Sequence, residues 1–243
     1  MISINTRSLT IPPREMSLVH PLHDDSVEVW FGSVDTVDNG LCPLSGLLGS
    51  EEISRAYRFH FEKDRRAFIA RRSTLKILLG LYLATEPGMI KLTYGKWGKP
   101  DIAGQYKNAH VQFTISHSGN LFLMAFSKNR RVGIDVEHVH DLTGCDRLAQ
   151  NFFTSRENSA LRSFPQSERA HAFFQCWTRK EAVLKALGCG LSLGLSAVEV
   201  SIEPDEPVRV VSIQGDTDSA LRWSLWSLAI SPQAVAALAV ETA

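Results

Sequence analysis

The chain is constrained most strongly by two short segments, GIDVE at residues 133–137 and WTRKEAVLK at residues 177–185. The alternation of apolar and acidic residues in the first segment predicts a β-strand, and the second reads as part of a helix. Successive side chains of a strand face opposite sides, so Asp135 and Glu137 point the same way while their apolar neighbours point the other. Two carboxylates directed at one place call for a cation.

The second segment adds a third carboxylate, Glu181, with Lys185 one helical turn further on. At about 100° per residue, Phe174, Trp177 and Leu184 all lie within about 60° of Glu181, which predicts that this carboxylate sits in an apolar arc. A buried carboxylate needs a metal ion or a strong hydrogen-bond donor. An isolated Glu–Lys pair at this spacing is more often a solvated surface pair contributing roughly 0.2–0.5 kcal/mol.

The prediction of a site depends on combining the two segments. Taken alone, Asp135 and Glu137 would more simply lie on the solvent-exposed face of an edge strand. With Glu181 as a third oxygen ligand and Lys185 nearby, the set predicts an Mg²⁺ site that also receives a phosphate-bearing ligand.

Composition bounds the other possibilities. The 243 residues are 44% hydrophobic and carry 26 basic and 26 acidic side chains, enough for one large or two small domains. The absence of net charge argues against a nucleic-acid partner held by general phosphate neutralisation. The four cysteines have no CxxC pair or zinc-type spacing, which predicts reduced thiols and a cytoplasmic location. No secretion signal and no membrane span are expected.

Hydrophobic periodicity predicts α+β elements on both sides of a polar break at residues 129–131. We expect two similar α+β lobes, residues 1–129 and 130–243. In the first half the pattern predicts strands at 27–34, 111–115 and 121–126, a helix capped by Asp64 that ends before 87–88, and a turn at 116–119. In the second half it predicts the 133–137 strand, helices at 154–163 and 168–187, a C-cap at Gly188, and strands at 198–202, 208–213, 223–230 and 235–240.

Several cations and one histidine allow two interpretations. Arg72 and Lys76 are predicted to lie on the exposed face of the first long helix with Arg65. Arg71 falls on the apolar face, where extension to solvent and contact with a phosphate are equally plausible. His117 lies in the predicted Ser-His-Ser-Gly turn, whose backbone donors, hydroxyls and imidazole suit an anionic oxygen, although turn histidines are more often structural. No Walker loop and no serine-nucleophile elbow is present.

The order of the motifs resembles that of the 4′-phosphopantetheinyl transferases of the larger, surfactin-synthetase-activator type. The resemblance covers roughly residues 55–195 and is carried by GKP, FTISHSG, GIDVE, FF, WTRKEAVLK and GCGLS, in that order. GxDxE followed by WxxKExxxK at this separation is its most specific part. The resemblance implies a monomer with two similar α+β lobes in a pseudo-twofold arrangement.

The resemblance also implies an activity and roles for individual residues. The enzyme would transfer the 4′-phosphopantetheine group of coenzyme A to a serine of an apo acyl or peptidyl carrier protein, releasing adenosine 3′,5′-bisphosphate. By position, the Mg²⁺ ligands would be Asp135, Glu137 and Glu181. The coenzyme A phosphates would be contacted by Ser116, His117 and Lys185, with Lys99, Arg71 and Arg55 completing a basic pocket. Two positions depart from the family pattern: Cys189 replaces a lysine, and Asn151 replaces the basic residue that often precedes FF.

The implied chemistry assigns catalytic roles to Glu181, Lys185 and His117. Lys185 and His117 would stabilise the leaving phosphate, and the serine proton would pass to Glu181 or to a metal-bound water that Glu181 orients. The sequence does not choose between these two bases. Two other functions remain open at this point: a carrier-protein or nucleotide-binding regulator without turnover, and a Mg²⁺-dependent phosphohydrolase. The expected partners are coenzyme A and carrier proteins, with no nucleic acid and no membrane.

Overall fold

The computed structural model describes residues 2–9, 21–38, 45–142, 144–189, 193–203 and 206–242. Its mixture of helices and sheets confirms the predicted α+β class. The chain forms two compact units: the first comprises Met1–Gly95, Pro100–Gln112 and Gly119–Asn129, and the second comprises Lys96–Lys99, Phe113–Ser118 and Arg130–Ala243. Among the described residues, no helix has the length and apolarity needed to cross a membrane.

The first unit combines a sheet, a separate hairpin and one long helix. Its elements are β1 (Ser3–Ser8), β2 (Ser26–Ser33), α1 (Val34–Asp38), α2 (Ser50–Ala56), α3 (Glu62–Tyr82), β3 (Lys91–Tyr94), β4 (Pro100–Ala103), the first residues of β5 (Val111–Ser118), and β6 (Leu121–Lys128). β1 pairs in parallel with β2, β2 pairs antiparallel with β6, and β3 pairs antiparallel with β4. The end of α3 is joined to the sheet because the Tyr82 ring contacts Phe126 and its hydroxyl accepts a hydrogen bond from the Trp30 indole at 2.7 Å.

The start of α3 differs from the sequence prediction. Phe61 is the N-cap, and Asp64 lies inside the first turn with Glu62. The prediction that Asp64 caps the helix is therefore wrong. Acidic residues are also favourable inside the first turn, because they interact with the positive end of the helix dipole, so composition alone did not separate the two positions.

The predicted exposure of Arg72 and Lys76 is also wrong. Their relative exposures are only 8% and 2%. The Lys76 ammonium donates to Glu52 of α2 at 3.0 Å, and the Arg72 guanidinium lies 3.5 Å from the same carboxylate. The Arg72 guanidinium also lies over the rings of Phe68 and Tyr94. The helical period placed these cations correctly on one face, but it could not show that a carboxylate of α2 lies against that face.

The second unit contains all the described helices and strands that follow residue 130, together with the end of β5. Its elements are the remainder of β5, β7 (Val132–His138), α4 (Cys145–Phe152), α5 (Ser155–Ser163), α6 (Arg169–Leu187), β8 (Val198–Val200), β9 (Val210–Ile213), α7 (Thr217–Ala220), β10 (Trp223–Ser231) and β11 (Ala234–Glu241). β11 is the central strand of a three-stranded antiparallel sheet, between β10 and β7. The predicted C-cap of α6 is confirmed, because Gly188 has the left-handed φ of 73°.

One glycine allows α6 to lie against β7. A Cβ atom added at Gly133 would come within 1.9 Å of the Ala182 carbonyl oxygen and 2.4 Å of the Ala186 nitrogen, both backbone atoms of α6. Any side chain at this position would push the helix away from the strand. The glycine of GIDVE therefore sets the distance between the strand and the helix that carry the predicted site.

β5 extends into the predicted turn as far as Ser118. Residues 116–118 are strand, so the prediction of a turn beginning at Ser116 is wrong. The physical reason is that Ser116 and Ser118 have partners on β7: their hydroxyls donate to Asp135 and Glu137, both at 2.7 Å. Residue types that favour turns are here retained in a strand by hydrogen bonds to a neighbouring element.

Candidate active site

The predicted acidic residues line one open cavity of about 320 Å³ in the second unit. Its lining comes from the end of β5, from β7 and from one face of α6, and consists of Ile115, Ser116, His117, Asp135, Glu137, Trp177, Glu181 and Lys185. The structure therefore brings together the three proposed metal ligands, both proposed phosphate contacts of β5, and the last lysine of WTRKEAVLK.

Asp135 is the most buried of the three carboxylates, at 4% relative exposure. Its Oδ1 atom accepts hydrogen bonds from the Lys185 ammonium at 2.6 Å and the Ser116 hydroxyl at 2.7 Å. Lys185 also donates to the Ser116 oxygen at 2.9 Å. Oδ2 of Asp135 is buried without a hydrogen-bond partner among the described residues. One oxygen is therefore satisfied by protein groups, while the other retains its capacity to bind a cation or donor.

This arrangement changes the interpretation of Lys185. In the structure, Lys185 forms an ion pair with Asp135 of β7. The interpretation of Lys185 as a solvated surface partner of Glu181 is therefore not sufficient. Its side chain keeps 30% exposure. The ammonium therefore has one side against Asp135 and another open to the cavity.

The other two carboxylates are harder to ionise than in solution. Burial raises the pKa of Glu181; the negative charge of Asp135 raises it further, and Lys185 opposes the change. Burial likewise raises the pKa of Glu137, against the hydrogen bond from Ser118, and Asp135 adds to the increase. Both shifts have the causes expected when carboxylates converge in a partly desolvated site. Within the described part of the chain, however, no three His, Cys, Asp or Glu side chains are already arranged as metal ligands.

Lys99 and His117 approach this region differently. The Lys99 ammonium donates to the Lys185 carbonyl at 2.9 Å, in the last turn of α6. A cation there is favourable because the carboxyl end of a helix carries partial negative charge. His117 lines the cavity and is exposed, on a strand in place of the predicted turn.

Arg55 and Arg71, the other two proposed contributors to the basic pocket, belong to the first unit. The exposed Arg55 guanidinium lies 5.6 Å from the ring centre of Phe68 and 5.1 Å from that of Tyr94. Arg71 is half-buried, and burial lowers its pKa while Asp64 opposes the change. Cys189 is half-buried and Asn151 is exposed. Residues 190–192 of the GCGLS segment lie outside the described residues.

Sequence reasoning missed the role of Lys180, the first lysine of WTRKEAVLK. Lys180 is fully buried and donates to Glu157 of α5 and to the Val198 carbonyl. Glu157 also accepts from the Val200 amide at 2.8 Å. The motif thus contains one lysine of the core and one of the cavity. The helical period carried the signal, because Lys180 lies about 100° from Glu181 on the helix and so points elsewhere.

Comparison with known proteins identifies the family to which the chain belongs. The chain matches the sequence model of the 4′-phosphopantetheinyl transferase superfamily over residues 131–239 and that of the N-terminal part of 4′-phosphopantetheinyl transferases over residues 38–129. It is 38% identical to the 4′-phosphopantetheinyl transferase HetI of Nostoc sp., over 90% of this chain and 89% of that protein. It is 34% identical to the putative 4′-phosphopantetheinyl transferase slr0495 of Synechocystis sp., over 78% of this chain and 76% of that one. With Sfp of Bacillus subtilis it shares 27% identity, over 67% of this chain and 70% of Sfp.

The chain therefore belongs to the 4′-phosphopantetheinyl transferase family, and the resemblance inferred from its motifs is confirmed. It is an enzyme that transfers the 4′-phosphopantetheine group of coenzyme A to a carrier protein.

Proposed function

We propose that the transfer is Mg²⁺-dependent and that the acceptor is a serine of an apo acyl or peptidyl carrier protein. The reaction would take place at the cavity lined by Asp135, Glu137, Glu181 and Lys185. The observation that supports this most directly is the buried Oδ2 of Asp135, which has no hydrogen-bond partner among the described residues and lies beside two carboxylates whose pKa values are raised. Carboxylate oxygens are the protein ligands that Mg²⁺ prefers, usually together with phosphate oxygens of a substrate.

The residues present fit a magnesium ion. Asp135, Glu137 and Glu181 would hold it, and their mutual repulsion is the kind of strain that a divalent cation removes. When bound, Mg²⁺ would supply charge stabilisation to the nonbridging oxygens of the pyrophosphate. Oδ1 of Asp135 already accepts a hydrogen bond from the Lys185 ammonium, so the other carboxylate oxygens would bind the cation.

Three side chains of the cavity would supply charge stabilisation, hydrogen-bond donation and proton transfer. Lys185 presents an ammonium to the cavity while Asp135 and Ser116 fix its position, so it is suited to stabilise negative charge that develops on a phosphate. His117 is exposed beside it and could contribute a second donor. Glu181 lines the same cavity and would accept the proton of the attacking serine.

The basic residues outside the cavity would contribute to binding coenzyme A. Lys99 is fixed on the end of α6 by the Lys185 carbonyl. Arg55 and Arg71, from the first unit, are proposed as further contacts with its phosphates. We also propose that the enzyme acts as a monomer; light scattering that gave an obligate trimer would contradict this.

The test is a carrier-modification assay. The chain is incubated with coenzyme A, Mg²⁺ and an apo acyl or peptidyl carrier protein, and the carrier is analysed by mass spectrometry. We expect the mass of one phosphopantetheine group to be added, with loss of the reaction in excess EDTA and recovery when Mg²⁺ is restored. A carrier whose attachment serine is replaced by alanine is the matched control. Modification that proceeds unchanged in EDTA would contradict the metal assignment, and release of nucleotide without a carrier would favour a phosphohydrolase.

A further inference from the structure

The two proposed metal ligands of β7 are each bonded by a serine of β5. Ser116 and Ser118 are two residues apart, as are Asp135 and Glu137, so each pair shares one face of its strand. Ser116 donates to Asp135 and Ser118 donates to Glu137, both at 2.7 Å. The backbone amide that follows each carboxylate approaches the same serine oxygen, at 3.4 Å from Val136 and at 3.1 Å from His138.

The Ser118 hydroxyl has a fixed orientation. A hydroxyl has one proton to donate and can accept in return. The His138 amide donates to the oxygen of Ser118, and the hydroxyl proton is directed to Oε2 of Glu137. Rotation of the hydroxyl away from Glu137 would give up the bond to a half-buried carboxylate.

Glu137 depends on this contact more than Asp135 depends on Ser116. Asp135 is held by two donors, Ser116 and Lys185. For the Glu137 side chain, the only hydrogen bond within the described residues is the one from Ser118. That bond engages Oε2 and restrains the position of the carboxylate, so that Oε1 is the oxygen without a protein donor among the described residues and can be presented to the cavity.

We propose that Ser118 is a positioning residue, which orients Glu137 as a magnesium ligand through its hydroxyl. This inference rests on the proposed function, since it requires a divalent cation at the cavity. Hydrogen-bond partners of metal ligands commonly contribute 10–100-fold to metal affinity or activity.

The test compares Ser118→Ala, which removes the hydroxyl, with Ser118→Thr, which keeps it on a side chain that strands accept. Mn²⁺ serves as the spectroscopic probe, and its dissociation constant is measured by electron paramagnetic resonance in the presence of coenzyme A. Mg²⁺ dependence of turnover and the melting temperature are measured on the same samples. Ser159→Ala is the control, because the Ser159 hydroxyl is exposed and donates to the Ser155 carbonyl within α5.

We expect Ser118→Ala to weaken Mn²⁺ binding by about tenfold, to raise the KM for Mg²⁺ similarly, and to recover most of kcat at high Mg²⁺. Binding of coenzyme A in EDTA should not change, and Ser118→Thr should restore metal affinity. Equal Mn²⁺ affinity in the wild type and Ser118→Ala would overturn the proposal while leaving the proposed function in place. A wild type that binds no Mn²⁺ would overturn both. A Thr variant as weak as the Ala variant would also contradict a role for the hydroxyl.

Discussion

Two lysines of helix α6, five residues apart in one motif, each pair with a carboxylate, yet the two pairs have opposite surroundings. Lys180 and Glu157 have side-chain exposures of 0% and 1%, and backbone groups of β8 complete their hydrogen bonds. Lys185 and Asp135 have exposures of 30% and 6%, and one carboxylate oxygen has no partner among the described residues. A buried ion pair whose polar groups are all hydrogen-bonded within the protein is not available to bind a ligand. A pair beside a cavity that keeps an unpartnered carboxylate oxygen is available.

The difference shows why a motif cannot be read as a set of equivalent charges. Lys180 stabilises the second unit: it ties α6 to α5 through Glu157, which also accepts the Thr154 amide in the capping box that begins α5. Lys185 holds Asp135 at the edge of the cavity. Loss of the first pair should therefore affect folding, and loss of the second should affect transfer.

The largest effect is expected from breaking the buried pair. Glu157→Ala leaves the Lys180 ammonium buried without a counter-charge, and such losses cost about 3–5 kcal/mol. In contrast, Asp135→Ala leaves Lys185 able to reach solvent, and we expect a cost of about 1 kcal/mol. Urea unfolding gives both free energies. If the two variants were equally destabilised, the distinction between a structural and a functional lysine would fail.

The next largest effect concerns turnover. Lys185→Met should lower kcat/KM for coenzyme A at least tenfold, because charge-stabilising donors in active sites are typically worth about 10²–10³ in rate. Lys185→Arg should recover part of the loss, since it restores the charge with a different shape. The measurement is carrier modification at saturating carrier concentration, with the melting temperature checked in parallel. A wild-type rate in the Met variant would remove Lys185 from the site.

Gly133→Ala tests the spacing that both lysines share. The new methyl group would lie 1.9 Å from the Ala182 carbonyl oxygen, so α6 or β7 must shift, and overpacking of this kind typically costs about 1–3 kcal/mol. We expect lower stability together with reduced transfer. Gly88→Ala is the control, because a Cβ atom at Gly88 meets nothing within 4 Å. A Gly133 variant with wild-type stability and activity would show that the approach of helix and strand is not required.

The sequence was sufficient for the α+β class and for the course of α6, because these depend on the period of a strand or a helix. The convergence of Asp135, Glu137 and Glu181 was predicted by combining the two motifs and by the family resemblance, because no local period joins a strand to a helix so far along the chain. It failed where a partner distant in the chain decides the outcome. Residues 116–118 looked like a turn until β7 supplied acceptors for the serine hydroxyls. Lys76 looked exposed until Glu52 supplied its counter-charge. A helix at 145–152 was missed as well, a segment of only eight residues.

The smallest expected effect is a difference in the pH dependence of stability between Glu181, a carboxylate of the cavity, and Glu206, a carboxylate paired with two arginines. The folded-state pKa of Glu181 is raised, chiefly by burial. Its contribution to stability is then greatest below its ordinary pKa of 4.5 and is lost as pH rises through the higher folded value. Glu206 is the opposite case: burial alone would raise its pKa, but hydrogen bonds from Arg156 and Arg209 outweigh that and lower it. Its contribution is present above pH 4.5 and is lost as pH falls through the lower folded value.

Glu181→Gln should therefore remove part of the decline in stability of the metal-free protein as pH rises above 4.5, whereas Glu206→Gln should remove part of the decline as pH falls below 4.5. The free energy of urea unfolding is measured in EDTA for the wild type and both variants. The pH range is 3.5 to 7.5, about four units that include the ordinary carboxyl pKa. Each variant serves as the control for the other, because both replace a glutamate by its neutral isostere. If the stability of the two variants changed with pH in the same way, the cavity would not hold Glu181 at a raised pKa in the metal-free protein.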